Sequence, residues 1–225
     1  MSAEGRLVLP GRFDAVIVDM DGTLIDTEPL WREAKEWIFR RHGTEFVHAD
    51  HLAVFGRDDI YTADYLTRRF GLGPEERERV RREYMDAVAA RFSDGIAIRP
   101  GTMELLAHLR GRVPVALASN TRRELVEIAL RTTGIDRWLD AVTTSDDAEP
   151  KPAPGIYLEA CRRVGVEPGR AVAIEDSPAG IVAAQAAGLT CIAVPSEMPD
   201  AVGGADLVVG SLLELLPADA EPSAA

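Results

Sequence analysis

The chain has 225 residues, a formal net charge of -12 at pH 7 and a sequence pI near 4.8. A chain of this length can bury a sizeable core, either as one domain with an insertion or as two small domains. The negative charge argues against a nucleic-acid partner and against an anionic membrane surface, because like charges repel. A small anionic substrate stays possible, since a local cluster of cations can reverse the potential within one cleft.

Targeting signals and cysteines point to the same kind of environment. No stretch approaches the roughly 18 apolar residues of a membrane span, and residues 1–11 lack the apolar core of a signal peptide. Cys161 and Cys191 lie in apolar patterns without metal-ligand spacing, which predicts buried free thiols in a reducing compartment. We therefore expect a cytoplasmic, monomeric protein.

Continuous apolar runs predict the strands of a parallel sheet, because a strand covered on both faces is apolar on both. The first run is 13–18, a weaker one is 141–144, and four others have the character of the first: 113–118, 171–174, 191–194 and 207–209. Amphipathic helices are expected between them, at 103–109, 124–131, 156–164 and 179–187. This alternation is typical of a doubly wound, Rossmann-like α/β core.

Residues 29–98 interrupt that alternation. They contain no convincing strand, whereas apolar side chains recur there at helical spacing, as in Val80, Tyr84, Val88 and Phe92. We predict an α-helical domain of residues 27–96 inserted into a core of residues 1–26 and 97–225. The Ala-, Pro- and Ser-rich tail after residue 217 is expected to be frayed.

Two acidic residues follow the first predicted strand, in the segment Asp19-Met20-Asp21-Gly22-Thr23. Open α/β sheets bind ligands at this end of their strands. Two neighbouring carboxylates repel each other unless a cation or a shared proton compensates. A simple turn would account for Asp21 and Gly22, but not for Asp19 at the end of a fully apolar strand.

A hydroxyl-rich segment, Ser119-Asn120-Thr121, follows the second apolar run and should face the same sheet edge. Thr121 and Glu124 also fit a capping box at the start of the next helix. Both roles are compatible, because a helix N-terminus beside a hydroxyl group is itself an anion site.

Lys151 lies between Pro150 and Pro152, which restrict its backbone. A lysine in a loop is usually just solvated. Its rigid setting nevertheless permits a positioned point charge.

Another acidic pair, Glu175 and Asp176, ends a predicted strand, and Ser177 and Pro178 are suited to cap and open the helix that follows. Acids at a helix start are often only partners of the helix dipole. Their position at the same sheet edge as Asp19 favours a metal site, because Mg2+ prefers carboxylate oxygens, water and substrate phosphate.

Taken in order, these four segments resemble the motifs of the haloacid dehalogenase superfamily over residues 13–195. The resemblance is greatest to the subgroup that contains β-phosphoglucomutase and sugar-phosphate phosphatases, in which a helical cap follows the first motif. It implies that Asp19 is the nucleophile and a Mg2+ ligand. Asp21 would be the general acid/base and would offer its backbone carbonyl to the metal, and Asp176, assisted by Glu175, would complete the ligand set.

The resemblance also implies that Ser119 and Lys151 hold the transferring phosphoryl group. Contacts with phosphate or substrate are expected from three further residues: Asn120, Thr121 and Arg122. Relatives often have Gly before this lysine and Asp four residues after it, where this chain has Pro150 and Gly155. These departures bear on the geometry of the loop. In the cap, candidates for selecting the substrate are Trp31, Phe55, Gly56 and Arg57, with cap packing as the alternative role for Trp31 and Phe55.

Three other functions use parts of the same pattern. A phospho-acceptor signalling domain requires its Asp on a middle strand and does not explain the helical insertion. A carbon–halogen hydrolase needs neither the second Asp nor the acidic metal pair. A β-phosphoglucomutase uses the same core. The resemblance to that enzyme implies a histidine twelve residues after the nucleophile, and this chain has Trp31 at that position. An indole can donate a hydrogen bond but can neither accept one nor titrate.

The sequence therefore predicts a Mg2+-dependent phosphatase that acts on a small phosphorylated metabolite through an aspartyl phosphate on Asp19. The wording of the first motif also resembles hexose-phosphate and deoxyhexose-phosphate phosphatases, which favours a sugar or polyol phosphate. The phosphosugar mutase is the alternative.

Overall fold

The structure is a computed structural model that describes residues 12–55, 57–195 and 204–217. Its strands are β1 (Ala15–Val18), β2 (Ile25–Asp26), β3 (Ala97–Ile98), β4 (Val115–Ser119), β5 (Ala141–Thr144), β6 (Ala171–Glu175), β7 (Thr190–Ala193) and β8 (Leu207–Val208). Its α-helices are α1 (Glu28–Arg41), α2 (His48–Val54), α3 (Asp59–Arg69), α4 (Arg77–Asp94), α5 (Thr102–Leu109), α6 (Arg123–Thr133), α7 (Gly155–Val164) and α8 (Pro178–Ala186).

A six-stranded parallel sheet forms the core, with the strand order β5-β4-β1-β6-β7-β8. Alternate residues of β1 enter two separate apolar clusters, Val16 and Val18 on one face and Ala15 and Ile17 on the other. Helices α5 and α6 cover the first face, and α7 and α8 cover the second. The predicted doubly wound α/β core is confirmed, and each predicted strand end lies within two residues of the observed one.

Helices α1 to α4 form the insertion, in which α1 and α3 pack on α4. The stripe of apolar residues predicted to face inward on α4 is buried: Val80, Tyr84, Val88 and Phe92. A single 3-10 turn, Pro74–Glu76, leads into this helix.

The expectation of no strand in residues 29–98 was wrong at its last two residues. There β3 pairs antiparallel with β2, and the amide of Arg99 donates to the carbonyl of Leu24 at 3.0 Å. Two-residue strands are too short for a periodic pattern, so only the long-range pairing reveals them. This ribbon lies where the chain enters and leaves the insertion, and the exact domain limits stay a prediction.

Both cysteines are buried free thiols, as predicted. Burial raises the pKa of Cys161 to about 11 and that of Cys191 to about 12. Among the described residues, no helix combines the length and apolarity needed to cross a bilayer. Gly56 and the tail after residue 217 lie outside the described residues.

The aromatic core of the insertion provides a test of its packing. Phe39 is 1% exposed, and its ring lies edge-on to those of Phe46 and Phe70, at 5.2 and 5.0 Å between centroids. We expect Phe39→Ala to lower the free energy of unfolding by about 3–5 kcal/mol, because truncation leaves a cavity as well as removing apolar contact. Urea denaturation followed by circular dichroism measures the change. The control is Val182→Ala at a 55% exposed position, expected to change stability by about 0.5 kcal/mol or less. Equal effects of the two substitutions would contradict the packing described here.

Candidate active site

The carboxyl ends of β1, β4 and β6 meet at one edge of the sheet and bring the predicted site residues together. Asp19 follows β1, Ser119 is the last residue of β4, and Glu175 is the last residue of β6. Parallel pairing of neighbouring strands causes this convergence. The segment after β5 supplies Lys151 to the same place, where its ammonium contacts two of these carboxylates.

Lys151 is the electrostatic centre of the site. Its Nζ donates to Asp19 Oδ1 at 2.6 Å and to Glu175 Oε1 at 2.5 Å, and the lysine is 6% exposed. Burial acts to lower the pKa of Lys151, but the two carboxylates outweigh it and raise that pKa above its usual value. The lysine is therefore a buried cation and not a solvated loop residue.

The Lys151 loop is held at its backbone by Asn120. The Oδ1 of Asn120 accepts from the Lys151 amide at 2.7 Å, and its Nδ2 donates to the Lys151 carbonyl at 3.0 Å. Gly155, one of the departures noted in this loop, has no room for a side chain, since a Cβ there would lie 2.9 Å from the backbone N and O of Glu149. The loop geometry thus depends on a glycine at this position.

Glu175 is fully buried behind the lysine, and both of its oxygens are occupied. Its Oε1 accepts from Lys151 and from the Tyr157 hydroxyl at 2.7 Å. Its Oε2 accepts from the Asp176 amide at 3.1 Å and from the Ser177 amide and hydroxyl at 3.2 and 3.0 Å. These contacts anchor Glu175 as a support for Lys151.

Helix α8 begins as predicted. The Ser177 hydroxyl oxygen accepts from the Gly180 amide at 3.1 Å, and Pro178 is the first helical residue. This start places Asp176 and Ser177 on the wall of the cleft above the sheet edge.

Asp19, Glu175 and Asp176 form a buried carboxylate cluster, with one oxygen of each within 4.8 Å of the others. Within the described part of the chain, Asp19 Oδ2 is buried without a hydrogen-bond partner. Burial raises the pKa of Asp19; Lys151 opposes this, and the charges of Glu175 and Asp176 add to it. Three carboxylates face one ammonium, so the cluster has both the donor atoms and the excess negative charge that suit Mg2+.

Asp21 receives four hydrogen bonds. Its Oδ1 accepts from the Thr27 hydroxyl at 2.7 Å and from the Trp31 indole N–H at 3.1 Å. Its Oδ2 accepts from the hydroxyls of Ser119 and Thr121, at 3.2 and 2.8 Å. The core supplies the last two donors, and the start of α1 supplies the first two. The second acidic residue of the motif is thus bound by both parts of the fold.

The predicted capping box of Thr121 and Glu124 was wrong. Helix α6 begins at Arg123 without a side-chain cap from its N-cap residue, and the Arg123 amide donates to Asp146 Oδ2 at 2.9 Å. The N-cap position is held by Arg122, so Thr121 lies one residue too early to cap the helix, and its hydroxyl donates to Asp21 Oδ2.

The predicted substrate-contacting arginines lie at the rim of the cleft. Arg122 bridges Asp146 of the core, at 2.7 Å, and Asp59 of α3, at 3.4 Å. Arg57 is exposed, and its guanidinium lies 4.9 Å from the centroid of the Tyr61 ring. Both arginines line a cleft of about 860 Å³, measured with its open mouth, that also contains Asp19, Asp21, Trp31, Phe55, Asn120, Thr121, Lys151 and Asp176.

Sequence reasoning missed two residues that support the site. Tyr157 belongs to the apolar face of α7, a pattern that indicates burial but not its hydrogen bond to Glu175. Thr27 directly precedes α1, where a threonine usually caps the helix, yet its hydroxyl donates to Asp21 instead. In the sequence, a threonine before Glu28-Pro29 indicates where the helix starts and gives no sign of the contact with Asp21.

Comparison with known proteins agrees with this geometry. The family model of haloacid dehalogenase-like hydrolases matches residues 13–188. The validoxylamine A 7'-phosphate phosphatase of Streptomyces hygroscopicus subsp. limoneus is 33% identical, over 90% of this chain and 96% of that protein. Hexitol phosphatase B of Escherichia coli is 31% identical, over 93% of this chain and 97% of that protein.

A solved structure extends the likeness to three dimensions. CbbY of Rhodobacter sphaeroides, in complex with phosphate, superposes with a TM-score of 0.78 at 31% identity, over 90% of this chain and 96% of that one. The family model covers most of the chain, and the sheet order and the convergent site agree with it. This chain belongs to the haloacid dehalogenase-like hydrolase family.

Proposed function

We propose that this chain hydrolyses the phosphate ester of a small sugar or polyol with Mg2+, through an aspartyl phosphate on Asp19. As a member of its family with phosphatases among its relatives, it is a phosphoric monoester hydrolase. The observation that carries the finer proposal is the environment of Asp19. One of its oxygens is held by Lys151, and the other is buried in a carboxylate cluster without a hydrogen-bond donor among the described residues.

Asp19 and Asp176 are the side chains we propose as metal ligands, because both line the cleft and belong to the cluster. The backbone carbonyl of Asp21 would add a third ligand from the chain. Glu175 contributes negative charge from behind, since its oxygens already accept from Lys151 and four other donors. When bound, Mg2+ would offset the charge of the phosphoryl oxygens and favour the ionised form of Asp19.

In the first half-reaction, an oxygen of Asp19 attacks phosphorus and the bond from phosphorus to the ester oxygen breaks. Asp21 gives a proton to that ester oxygen, which leaves as an alcohol. The Lys151 ammonium keeps Asp19 in place and reduces the repulsion between the carboxylate and the phosphate anion. We propose that Ser119, Asn120 and Thr121, at the end of β4, hold the phosphoryl oxygens; Asn120 and Thr121 line the cleft.

In the second half-reaction, Asp21 takes a proton from water while the water oxygen attacks the aspartyl phosphate. The bond from phosphorus to Asp19 breaks and inorganic phosphate leaves. One carboxyl group thus serves as acid and then as base. Its four donors come from Thr27, Trp31, Ser119 and Thr121, and they orient it for both steps.

The mutase alternative depends on a cap group that controls when Asp21 acts as a base. Thr27 and Trp31, at the start of α1, both contact Asp21; Trp31 stands where the mutase has its histidine, and its indole only donates. The acid/base can therefore accept a proton from water without a signal from a second sugar. This favours hydrolysis over phosphoryl return to a sugar.

The direct test is phosphate release from a panel of sugar phosphates, polyol phosphates, phosphoglycolate and nucleotides, with Mg2+ and with a chelator. We expect sustained release with Mg2+ and none with the chelator. β-Glucose 1-phosphate with a bisphosphate primer belongs in the panel, with glucose 6-phosphate followed separately. Faster formation of glucose 6-phosphate than of phosphate would identify a mutase, and full activity in the chelator would refute the metal site.

Substitution of the two aspartates distinguishes their roles. Asp19→Asn should abolish turnover with the fold intact, because the amide is nearly isosteric but a poor nucleophile. Asp21→Asn should slow both half-reactions by roughly 10²–10⁴-fold, the usual contribution of general acid/base catalysis, and should allow phosphoenzyme to accumulate. Rapid-quench trapping of labelled phosphoenzyme measures the difference. Near-normal turnover of Asp19→Asn would exclude it as the nucleophile.

Gly180→Ala tests the support behind Lys151. A Cβ at Gly180 would lie 1.9 Å from Glu175 Cδ, and five hydrogen bonds prevent Glu175 from moving aside cheaply. Alanine improves helix propensity by about 1 kcal/mol, whereas disturbing a buried ion pair costs about 3–5 kcal/mol, so the clash should decide the sign.

We expect Gly180→Ala to lower both the melting temperature and kcat. The control is Gly169→Ala, where a Cβ would meet no atom within 4 Å and neither quantity should change. A fully active, equally stable Gly180→Ala enzyme would show that Glu175 does not need its observed position.

A further inference from the structure

Lysine is rare in this chain, and both lysines lie in the cleft. Of the 25 lysine and arginine residues, two are lysines, Lys35 and Lys151. Both line the cleft, and both are nearly inaccessible, at 4% and 6% exposure. The mechanism uses Lys151 but gives no role to Lys35. A buried ammonium needs polar partners, and one that lines the cleft can also contact a ligand there.

Helix α1 carries Lys35 on the face that forms one wall of the cleft. Glu28, Trp31 and Lys35 follow the spacing i, i+3 and i+7, which places them in one stripe, and all three line the cleft. The neighbouring face of the helix packs into the insertion through Ala34, Ile38 and Phe39, among others. The stripe thus forms the α1 side of the cleft and places the polar ends of Glu28 and Lys35 there.

A histidine holds the lysine in position. Lys35 Nζ lies 3.4 Å from Nδ1 of His51, a buried residue of α2. An ammonium group can only donate, so Nδ1 is the acceptor in this contact when Lys35 is charged. An ammonium has three N–H groups, and it can therefore bind a substrate oxygen together with protein partners.

The position of Lys35 along α1 indicates which part of a substrate it would meet. Thr27 and Trp31, at the start of the helix, both bond to Asp21, and Lys35 lies one turn beyond Trp31, about 6 Å along the helix axis. A substrate with its phosphoryl group at Asp19 and its ester oxygen at Asp21 reaches Lys35 with atoms several bonds away from phosphorus.

The charges on the same wall select the chemistry of those atoms. Glu28 lines the cleft on the same helix as Lys35, so a second phosphate or a carboxylate bound between them would meet a like charge. Asp59, across the cleft, is already paired with Arg81 and Arg122. A hydroxyl group has no such conflict, because it accepts from an ammonium and donates to a carboxylate. Alternating donors and acceptors of this kind suit a chain or ring with several hydroxyls.

We propose that Lys35, positioned by His51, is a specificity-determining residue that binds a hydroxyl oxygen of the substrate far from its phosphoryl group. This rests on the proposed phosphatase function and narrows it to polyol or sugar monophosphates of more than two or three carbons. Lys151 serves the phosphoryl end of the cleft, and Lys35 serves the distal end.

The test compares two substrates that differ only in hydroxyl groups, sorbitol 6-phosphate and hexyl phosphate. Lys35→Met removes the ammonium and keeps a side chain of similar length. We expect kcat/KM for sorbitol 6-phosphate to fall roughly tenfold to a hundredfold, mostly through KM, as for the loss of a hydrogen bond to a charged group. The value for hexyl phosphate should stay within about twofold.

The matched control is Arg32→Met, which removes a cation from an exposed position of the same helix that does not line the cleft. It should leave both substrates within about twofold. An equal loss with both substrates in Lys35→Met, or no loss with either, would overturn the role of Lys35. Wild-type protein that released phosphate from no ester would refute the phosphatase function itself.

A spectroscopic measurement keeps the proposal testable if Lys35→Met does not fold. Selective ¹⁵N labelling of lysine gives side-chain ammonium signals from two residues only, which pH and ligand dependence can distinguish. In the Asp19→Asn variant, sorbitol 6-phosphate should shift both signals, whereas hexyl phosphate should shift that of Lys151 alone. Identical shifts of the Lys35 signal with both ligands would exclude binding of a distal hydroxyl.

Discussion

The buried ammonium of Lys151, shared between Asp19 and Glu175, is the interaction on which the rest of the site depends. A charge removed from water must be paired and hydrogen-bonded, and breaking such a pair costs about 3–5 kcal/mol. The surrounding contacts meet that requirement. Asn120 binds both the amide and the carbonyl of Lys151. Tyr157 donates to Glu175, and the centroid of the Tyr157 ring lies 5.2 Å from the Lys151 ammonium.

Asp21 shows how the insertion and the core act on one carboxyl group. Ser119 and Thr121 reach it from the sheet edge, while Thr27 and Trp31 reach it from α1. Any displacement of α1 relative to the sheet would change the donors of one oxygen and leave those of the other. The orientation of the Asp21 carboxyl group is therefore coupled to the position of the helical insertion.

The distribution of charge reconciles an acidic protein with an anionic substrate. The chain has a net charge of -12, yet four cations line its cleft: Lys35, Arg57, Arg122 and Lys151. The lysines lie deep and the arginines lie nearer the rim, where Arg122 joins the core to α3 through Asp59. A compact ammonium suits a buried point contact, whereas the larger guanidinium suits bridges between carboxylates. Local placement of charge, and not the net charge, determines which ligand can enter.

The sequence alone determined the sheet, the insertion and the four motifs, because apolar runs and the residues at their ends report burial and strand termini directly. Parallel topology then required Asp19, Ser119 and Glu175 to meet. The sequence could not determine the partners of individual polar groups. Thr121 satisfied a capping pattern but bonds to Asp21, Tyr157 followed an apolar stripe but donates to Glu175, and β2 and β3 were too short to have a pattern. Those contacts join residues that are distant in the chain. Only the tertiary structure brings the two partners of each contact together, so only it determines which partner a polar group binds.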